Sequence, residues 1–184
     1  MASPFVFDII DNLYQDPDLR RLLLIHSEEV AKLALEIIER RKLGNVVDKD
    51  FVENAAMLHD IGIIKTHAPS IFCRGELPYL CHGIAGKQIL QELGLPEAYA
   101  LVCERHTGSG ITRREIVENR LPLPQRDFLP VSLEEKLICY ADKFFSKSGD
   151  PRRRKDTEEI RNSMKKFGPD ALRRFDELES LFGC

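Results

Sequence analysis

The spacing of apolar residues between helix-ending residues constrains the fold of this chain most. Along residues 17–42, four apolar residues recur at intervals that place them on one face of a helix: Leu23, Val30, Leu33 and Ile37. Asp16 and Pro17 provide a capping carboxylate and a first-turn proline, and Gly44 ends the segment. No alternating apolar and polar run of useful strand length is present. The pattern predicts an all-α protein, a compact irregular helical bundle.

The same periodicity, interrupted by glycine, proline and capping residues, predicts further helices along the chain. They cover about 51–61, 79–93, 96–106, a short segment after Thr112, 132–147, 156–166 and 170–182. Thr112 with Glu115, and Ser132 with Glu135, fit the capping box. Residues 63–78 are expected to form a loop. We therefore expect about six to eight helices. Residues 1–150 would form one domain, and residues 151–184 a helical extension that packs on the core or on a second copy, giving a homodimer.

Composition and charge exclude several classes of protein. The 184 residues carry a net charge of −3, which disfavours a protein that coats DNA non-specifically. The five cysteines are odd in number and include no Cys-x-x-Cys pair, which argues against a disulfide framework or a thiolate zinc site. No apolar run approaches the roughly 18 residues of a membrane span. Asp8 and Asp11 are acidic residues in a region where a signal peptide would be basic and then apolar. We expect a cytoplasmic protein without membrane contact.

Side chains of the types that bind metal ions lie on the apolar faces of three predicted helices. His26, His59 and Asp142 each have apolar neighbours at helical spacing, and Asp60 follows His59 directly. A single buried histidine is most often a satisfied core residue. Two buried histidines and two aspartates are costly unless they share a cation. A donor set of imidazole and carboxylate, without thiolate, suits Mn, Fe, Co, Ni or Zn.

These residues carry a resemblance to a known family. The order His26, His59-Asp60, Asp142, which spans about residues 19–147, resembles that of the HD-domain metal-dependent phosphohydrolases, and the letters HDIG at 59–62 resemble their HDIG subtype. The stretch ICYADKF at 138–144 ends the motif as in that family. The resemblance implies an HD-type helical fold and a divalent metal held by the four residues. It also implies that metal-activated water cleaves a phosphomonoester, pyrophosphate or phosphodiester bond of a nucleotide-like substrate, with Asp60 as a catalytic residue.

Two more histidines lie where dinuclear members of that family hold a second metal. His82 begins one predicted helix and His106 ends another, and the resemblance implies that Asp60 would bridge the two ions. The cofactor would then be one or two divalent transition metal ions. As an alternative, His106 caps a helix C-terminus, where the dipole favours a cation, and His82 merely starts a helix. No GYP motif follows the HD pair, which disfavours cyclic di-GMP as substrate.

Four residues near these ligands in the sequence are candidates for binding a phosphorylated small molecule: Lys65, His67, Arg105 and Lys143. Each is also explained as ordinary surface charge, as is the basic run at 152–155. Three other functions stay open. A dinuclear-iron HD oxygenase would use the same ligands, a non-catalytic nucleotide-binding sensor would keep only the fold, and a purely structural helical module would leave the buried Asp142 unexplained.

Overall fold

The computed structural model describes residues 2–183, which form nine α-helices and a few shorter elements. Met1 and Cys184, at the outer ends of the two predicted segments, lie outside the described residues. The helices are α1 (Pro4–Leu13), α2 (Pro17–Arg40), α3 (Lys49–Leu58), α4 (His82–Glu92), α5 (Glu97–Arg105), α6 (Arg113–Glu118), α7 (Leu133–Asp142), α8 (Thr157–Lys165) and α9 (Pro169–Phe182). The predicted all-α class is confirmed. The count exceeds six to eight because α1 was not predicted, although Pro4 in its first turn and Val6 and Ile10 on one face are ordinary helix signals.

The segment between α3 and α4 is more ordered than the predicted loop. It contains 3₁₀ helices at Ile61–Lys65, Pro69–Ile71 and Tyr79–Cys81, and the strands β1 (Thr66–Ala68), β2 (Cys73–Arg74) and β3 (Leu77–Pro78). The strand order is β2-β1-β3, with β1 antiparallel to β2 and parallel to β3. Strands of two or three residues are too short to show alternation in the sequence.

The N-terminal and C-terminal predicted segments contribute to one hydrophobic core. Phe175 and Phe182 of α9 are buried, with ring centres 5.9 Å and 5.7 Å from that of Tyr140 in α7. Ile160 of α8 belongs to the same cluster. The extension therefore packs on the core, while the domain boundary near residue 150 and a homodimer stay predictions. Within residues 2–183, no helix is long and apolar enough to cross a membrane.

Several helix ends differ from the predicted ones, and the end of α7 matters most. The sequence predicts that this helix continues to Lys147, but it stops at Asp142. The chain then turns, and the backbone amide of Lys155 donates a hydrogen bond to the Phe144 carbonyl at 2.8 Å. This early stop redirects residues 143–147 toward the interior of the molecule.

The two predicted capping boxes have different outcomes. The box of Thr112 and Glu115 is present in full. Ser132 accepts the backbone N–H of Glu135, but the Glu135 carboxylate accepts from the Val131 amide and from Arg105 instead of completing a box. The second box is therefore only half formed.

One glycine sets how closely the segment after α3 approaches α4. A Cβ atom built at Gly62 would lie 2.1 Å from the His82 carbonyl oxygen and 2.2 Å from the Gly86 nitrogen. Only glycine permits this contact between two backbones. The close approach brings the N-terminus of α4, with His82, against the end of α3.

Candidate metal centre

A first cluster of four buried side chains joins α2, α3 and α7. It consists of His26 from the middle of α2, His59 at the C-terminus of α3, the following Asp60, and Asp142 at the end of α7. The His26 Nε2 atom lies 3.0 Å from Asp142 Oδ1 and 3.1 Å from Asp60 Oδ2. The His59 Nε2 atom lies 2.9 Å from Asp60 Oδ2 and 3.5 Å from Asp142 Oδ1. Four donor atoms thus converge on one small volume.

A second cluster lies on the other side of the Asp60 carboxylate. His82, the first residue of α4, and His106, which follows α5, place their Nε2 atoms 3.0 Å apart. Asp60 Oδ1 lies 3.5 Å from the first of these atoms and 3.4 Å from the second. Asp60 therefore directs one oxygen to each cluster. The structure brings together all six residues that the sequence analysis proposed as metal ligands.

Three of the histidines are oriented by the backbone in the same way. Each Nδ1–H donates to a carbonyl three residues earlier: His59 to Ala56 at 2.6 Å, His82 to Tyr79 at 2.7 Å and His106 to Cys103 at 2.7 Å. A carbonyl can only accept, so the hydrogen bond assigns the Nδ1 atom as the protonated one. In the neutral form of each ring, the Nε2 lone pair then points into the cluster, which is the arrangement found around metal-binding histidines.

Several polar atoms of the two clusters lack hydrogen bonds. Among residues 2–183, both Asp60 oxygens and His59 Nε2 are buried without a well-formed hydrogen bond, although the Lys147 ammonium forms an ion pair with Asp60 Oδ2. The Nε2 atoms of His82 and His106 face each other, and both act as acceptors in neutral rings. Buried acceptors that face one another are costly, and a shared cation satisfies them. The residues present therefore fit divalent metal ions.

The electrostatics of the clusters favour bound positive charge. Burial opposes ionisation of Asp60, but His59 and Lys147 hold the pKa of this carboxyl well below its usual range. Burial also opposes a charge on His59, yet the Asp60 and Asp142 carboxylates raise its pKa to about 9. In contrast, burial and the neighbouring His106 lower the pKa of His82 to about 3. His82 is therefore neutral at pH 7 and has a free lone pair.

A cavity of about 600 Å³ opens beside the two clusters. His82, His106 and Asp142 contribute to its wall, together with three lysines: Lys143, Lys147 and Lys155. The Lys147 Nζ atom lies 2.5 Å from Asp60 Oδ2. The Lys143 Nζ atom lies 2.7 Å from Asp142 Oδ2 and donates to the His106 carbonyl at 3.0 Å. The cavity thus combines metal-type ligands with cationic side chains.

Two site residues, Lys147 and Lys155, are not predicted from the sequence. Lys147 reaches the cavity because α7 ends at Asp142, and a helix predicted to continue would have placed it elsewhere. Lys155 stands in a basic run that is usually a solvated face. It is half-buried, and its Nζ atom donates to the Lys143 and Phe145 carbonyls, each at 3.5 Å.

The four predicted substrate-binding residues have different positions. Lys143 lines the cavity. Lys65 and His67 are exposed in the segment of short strands and do not line it. Arg105 also lies outside the lining and pairs with Glu135 at 3.1 Å. The structure therefore brings Lys143 to the metal-type ligands but does not bring the other three there.

The family model for the HD domain matches residues 23–146. The chain therefore belongs to the HD domain family, a superfamily of metal-dependent phosphohydrolases. The match is to the HD domain as a whole, so the HDIG subtype stays a prediction from the letters at 59–62. The matched region contains all six clustered ligands and ends one residue before Lys147.

Three proteins with similar sequences cover part of this chain. An uncharacterized protein of Methanocaldococcus jannaschii is 40% identical over 134 residues, which cover 73% of this chain and 69% of that protein. Proteins named tRNA (cytidine(56)-2'-O)-methyltransferase match from Picrophilus torridus, at 34% identity, and from Thermoplasma volcanium, at 30%. These alignments cover 68% and 86% of this chain, but only 32% and 41% of the two methyltransferases. No solved structure matches the chain.

Proposed function

We propose that this protein is a divalent-metal-dependent phosphohydrolase. Its reaction is hydrolysis of a phosphomonoester, pyrophosphate or phosphodiester bond in a nucleotide-like substrate. One observation carries the proposal: two clusters of buried ligands share Asp60, and three of their members line a cavity together with three lysines. Family membership supports the same chemistry.

We propose one ligand set for each of two ions. His26, His59, Asp60 and Asp142 would hold the first ion, and Asp60, His82 and His106 the second. A bound divalent metal lowers the pKa of a coordinated water and neutralises charge on a phosphoryl oxygen. Asp60 would hold its two oxygens toward the two sites, in agreement with their distances from the two histidine pairs.

The lysines would supply the positive charge that binds a phosphorylated substrate. Ammonium groups hold phosphate oxygens through charge-assisted hydrogen bonds. Lys143 is anchored beside Asp142 and the His106 carbonyl, so its position is fixed relative to both clusters. Lys147 and Lys155 add positive charge on the same wall. Together they would orient the phosphate with its reacting bond toward Asp60.

The names of the longer relatives do not change this proposal. Two relatives are named as tRNA methyltransferases, and the aligned part is less than half of each. This chain contains the imidazole and carboxylate clusters, which suit metal-assisted hydrolysis. We therefore propose hydrolysis, and not methyl transfer, for this chain.

A hydrolysis assay tests the proposal. The protein is stripped of metal, reloaded separately with Mn, Fe(II), Co, Ni or Zn, and given p-nitrophenyl phosphate, bis-p-nitrophenyl phosphate, nucleoside monophosphates and triphosphates, and dinucleoside polyphosphates. We expect metal-dependent release of p-nitrophenol or inorganic phosphate from at least one of these compounds. The His26→Ala variant should lose that activity, whereas Lys32→Ala, at an exposed position of the same helix, should keep it.

Other outcomes would support the alternative functions. Oxygen consumption by the iron-loaded protein with an organophosphonate or polyol, without phosphate release, would support the dinuclear-iron oxygenase. Tight nucleotide binding by the metal-loaded protein without turnover would support a sensor. Either result would contradict the phosphohydrolase.

A further inference from the structure

The C-terminal extension forms one wall of the cavity beside the metal clusters. The HD domain match ends at residue 146, and α8 lies beyond it. Four residues of α8 and the turn after it nevertheless line the cavity: Ile160, Ser163, Met164 and Phe167. Among the charged and metal-binding residues of the wall, His82, His106, Asp142 and Lys143 belong to the family-matched part, whereas Lys147 and Lys155 follow it in the chain. The cavity thus has a cationic part, and the part from α8 and the turn after it is mainly apolar.

A second cavity of about 300 Å³ adjoins the first. The two cavities share four lining residues: Thr107, Gly108, Met164 and Phe167. Apolar side chains from several elements line the second cavity, among them Leu80, Ile111, Leu121 and Ala171. Of its three charged residues, Glu115 and Arg174 pair with each other at 2.7 Å, and Lys166 is exposed to solvent. The apolar part of the second cavity therefore suits an uncharged group.

Phe167 lies at the rim that both cavities share and is 66% exposed. Met164, one helical turn earlier, is buried beneath the same rim. An exposed aromatic ring beside a polarizable methionine is a surface that binds planar or apolar groups. The cavity volumes lie in the range of roughly 300–1,000 Å³ that binding sites for small organic molecules occupy, which is more than a phosphate group needs.

We propose that Met164 and Phe167 of the C-terminal extension bind the non-reacting part of the substrate. A planar or apolar group attached to the phosphate would lie against Phe167 and enter the second cavity, while the phosphate lies against the lysines. The extension would then act together with the HD domain in determining which phosphorylated compound is accepted. This inference rests on the proposed function for its phosphorylated substrate.

Binding of two phosphonates that the enzyme does not hydrolyse tests the inference. Calorimetry of the Mn-loaded protein compares phenylphosphonate with methylphosphonate, which differ only in the group expected to meet Phe167. We expect phenylphosphonate to bind about tenfold more tightly, and we expect Phe167→Ala to remove that preference. The matched control is Val131→Ala, because Val131 is 65% exposed and lines neither cavity.

A fluorescence measurement makes the test independent of metal loading. The chain contains no tryptophan, so Phe167→Trp and Val131→Trp each introduce a single emitter. A nucleoside monophosphate should quench the emission of the Phe167→Trp protein and leave that of Val131→Trp unchanged. Phe167 is exposed, so we expect both variants to fold.

The outcomes separate this inference from the proposed function. Equal binding of the two phosphonates, no binding of either, or a preference that survives Phe167→Ala would overturn the inference, even if the protein hydrolyses phosphate esters. A preference that depends on Phe167, in a protein that hydrolyses none of the compounds tested, would support recognition by the extension and contradict the phosphohydrolase.

Discussion

Asp60 occupies the most consequential position in the chain because both clusters depend on its two oxygens. Oδ2 faces His26 and His59, and Oδ1 faces His82 and His106. Its side chain is buried, its oxygens lack well-formed hydrogen bonds within the described part of the chain, and Oδ2 forms an ion pair with Lys147. A change of its charge should therefore affect both sites at once.

Asp60→Asn should abolish most of the metal binding and activity. The amide keeps the size of the side chain but removes the negative charge and offers only one oxygen. We expect the hydrolysis rate to fall at least about 100-fold, because mutation of residues that only orient metal ligands already lowers metal affinity or activity 10- to 100-fold. Metal content and hydrolysis rate are measured on the same preparation. Asp50→Asn, at the exposed start of α3, is the control. Full metal content with full turnover in Asp60→Asn would disprove the bridging role.

Lys147→Met should weaken substrate binding more than metal binding. Methionine keeps most of the apolar stem but removes the ammonium group that lies 2.5 Å from Asp60 Oδ2. We expect the KM for a phosphate ester to rise about tenfold, with the metal content retained, because one charge-assisted contact to phosphate is lost. Lys32→Met, on an exposed face of α2, should leave KM unchanged. Loss of metal with an unchanged KM would show that Lys147 supports the ligands instead.

At the scale of the elements, the contact between Gly62 and α4 connects the two clusters. The 3₁₀ helix after Asp60 packs directly on the backbone of His82 and Gly86. The close packing explains why the last of the HDIG letters is glycine, because any side chain there would separate the elements that carry Asp60 and His82.

Gly62→Ala should destabilise the protein and disturb the second cluster. The added Cβ would meet backbone atoms at 2.1 Å and 2.2 Å, and backbone cannot yield as a flexible side chain can. We expect the free energy of unfolding to fall by about 2 kcal/mol or more, measured by urea denaturation. At Gly44, by contrast, a Cβ would meet only the flexible end of Lys49, at 3.2 Å. Gly44→Ala should therefore be close to neutral, and an equal effect of the two changes would contradict the steric argument.

A second element contact ties α9 to α6 and gives a pH dependence. Arg174 pairs with Glu115 at 2.7 Å and donates to the Gly110 carbonyl at 2.9 Å. Burial would raise the pKa of Glu115, but Arg174 and the capping contacts of Thr112 hold it below its ordinary value. A lowered pKa in the folded state stabilises the protein above the unfolded pKa of about 4.3, and this contribution disappears as the pH falls through the folded value.

Glu115→Gln should therefore lower stability at pH 7 and have little effect in acid. We expect a loss of about 1–3 kcal/mol in the free energy of unfolding at pH 7, and a progressively smaller difference from the wild type below about pH 4.3. Denaturant unfolding across this pH range measures it. Glu118→Gln, in an exposed pair with Arg114, should change stability by less than about 1 kcal/mol. A difference for Glu115→Gln that does not depend on pH would contradict the ion-pair explanation.

At the scale of the whole molecule, helical periodicity and polar residues on apolar faces predict most of the fold and the ligand set. Apolar spacing and caps locate eight of the nine helices of residues 2–183, and α1 is missed although its signals are present. His26 and Asp142 are 116 positions apart in the sequence. Both lie on apolar helix faces, and because buried polar groups need partners, this placement predicts that they contact each other.

The remaining features depend on where helices stop and how they pack. Lys147 enters the cavity because α7 ends five residues earlier than its periodicity suggests. The wall formed by Met164 and Phe167 depends on how the extension folds back on the core, which spacing within α8 does not specify. The strands β1 to β3 are too short for a sequence pattern.

The central claim is that the two clusters hold divalent metal ions, and elemental analysis tests it most directly. The protein is purified without chelator, incubated with Mn, Fe, Co, Ni or Zn, separated from free metal, and analysed for moles of each metal per chain. The shared Asp60 and the six clustered ligands predict about two ions per chain. A protein that binds none of the five metals would contradict the account.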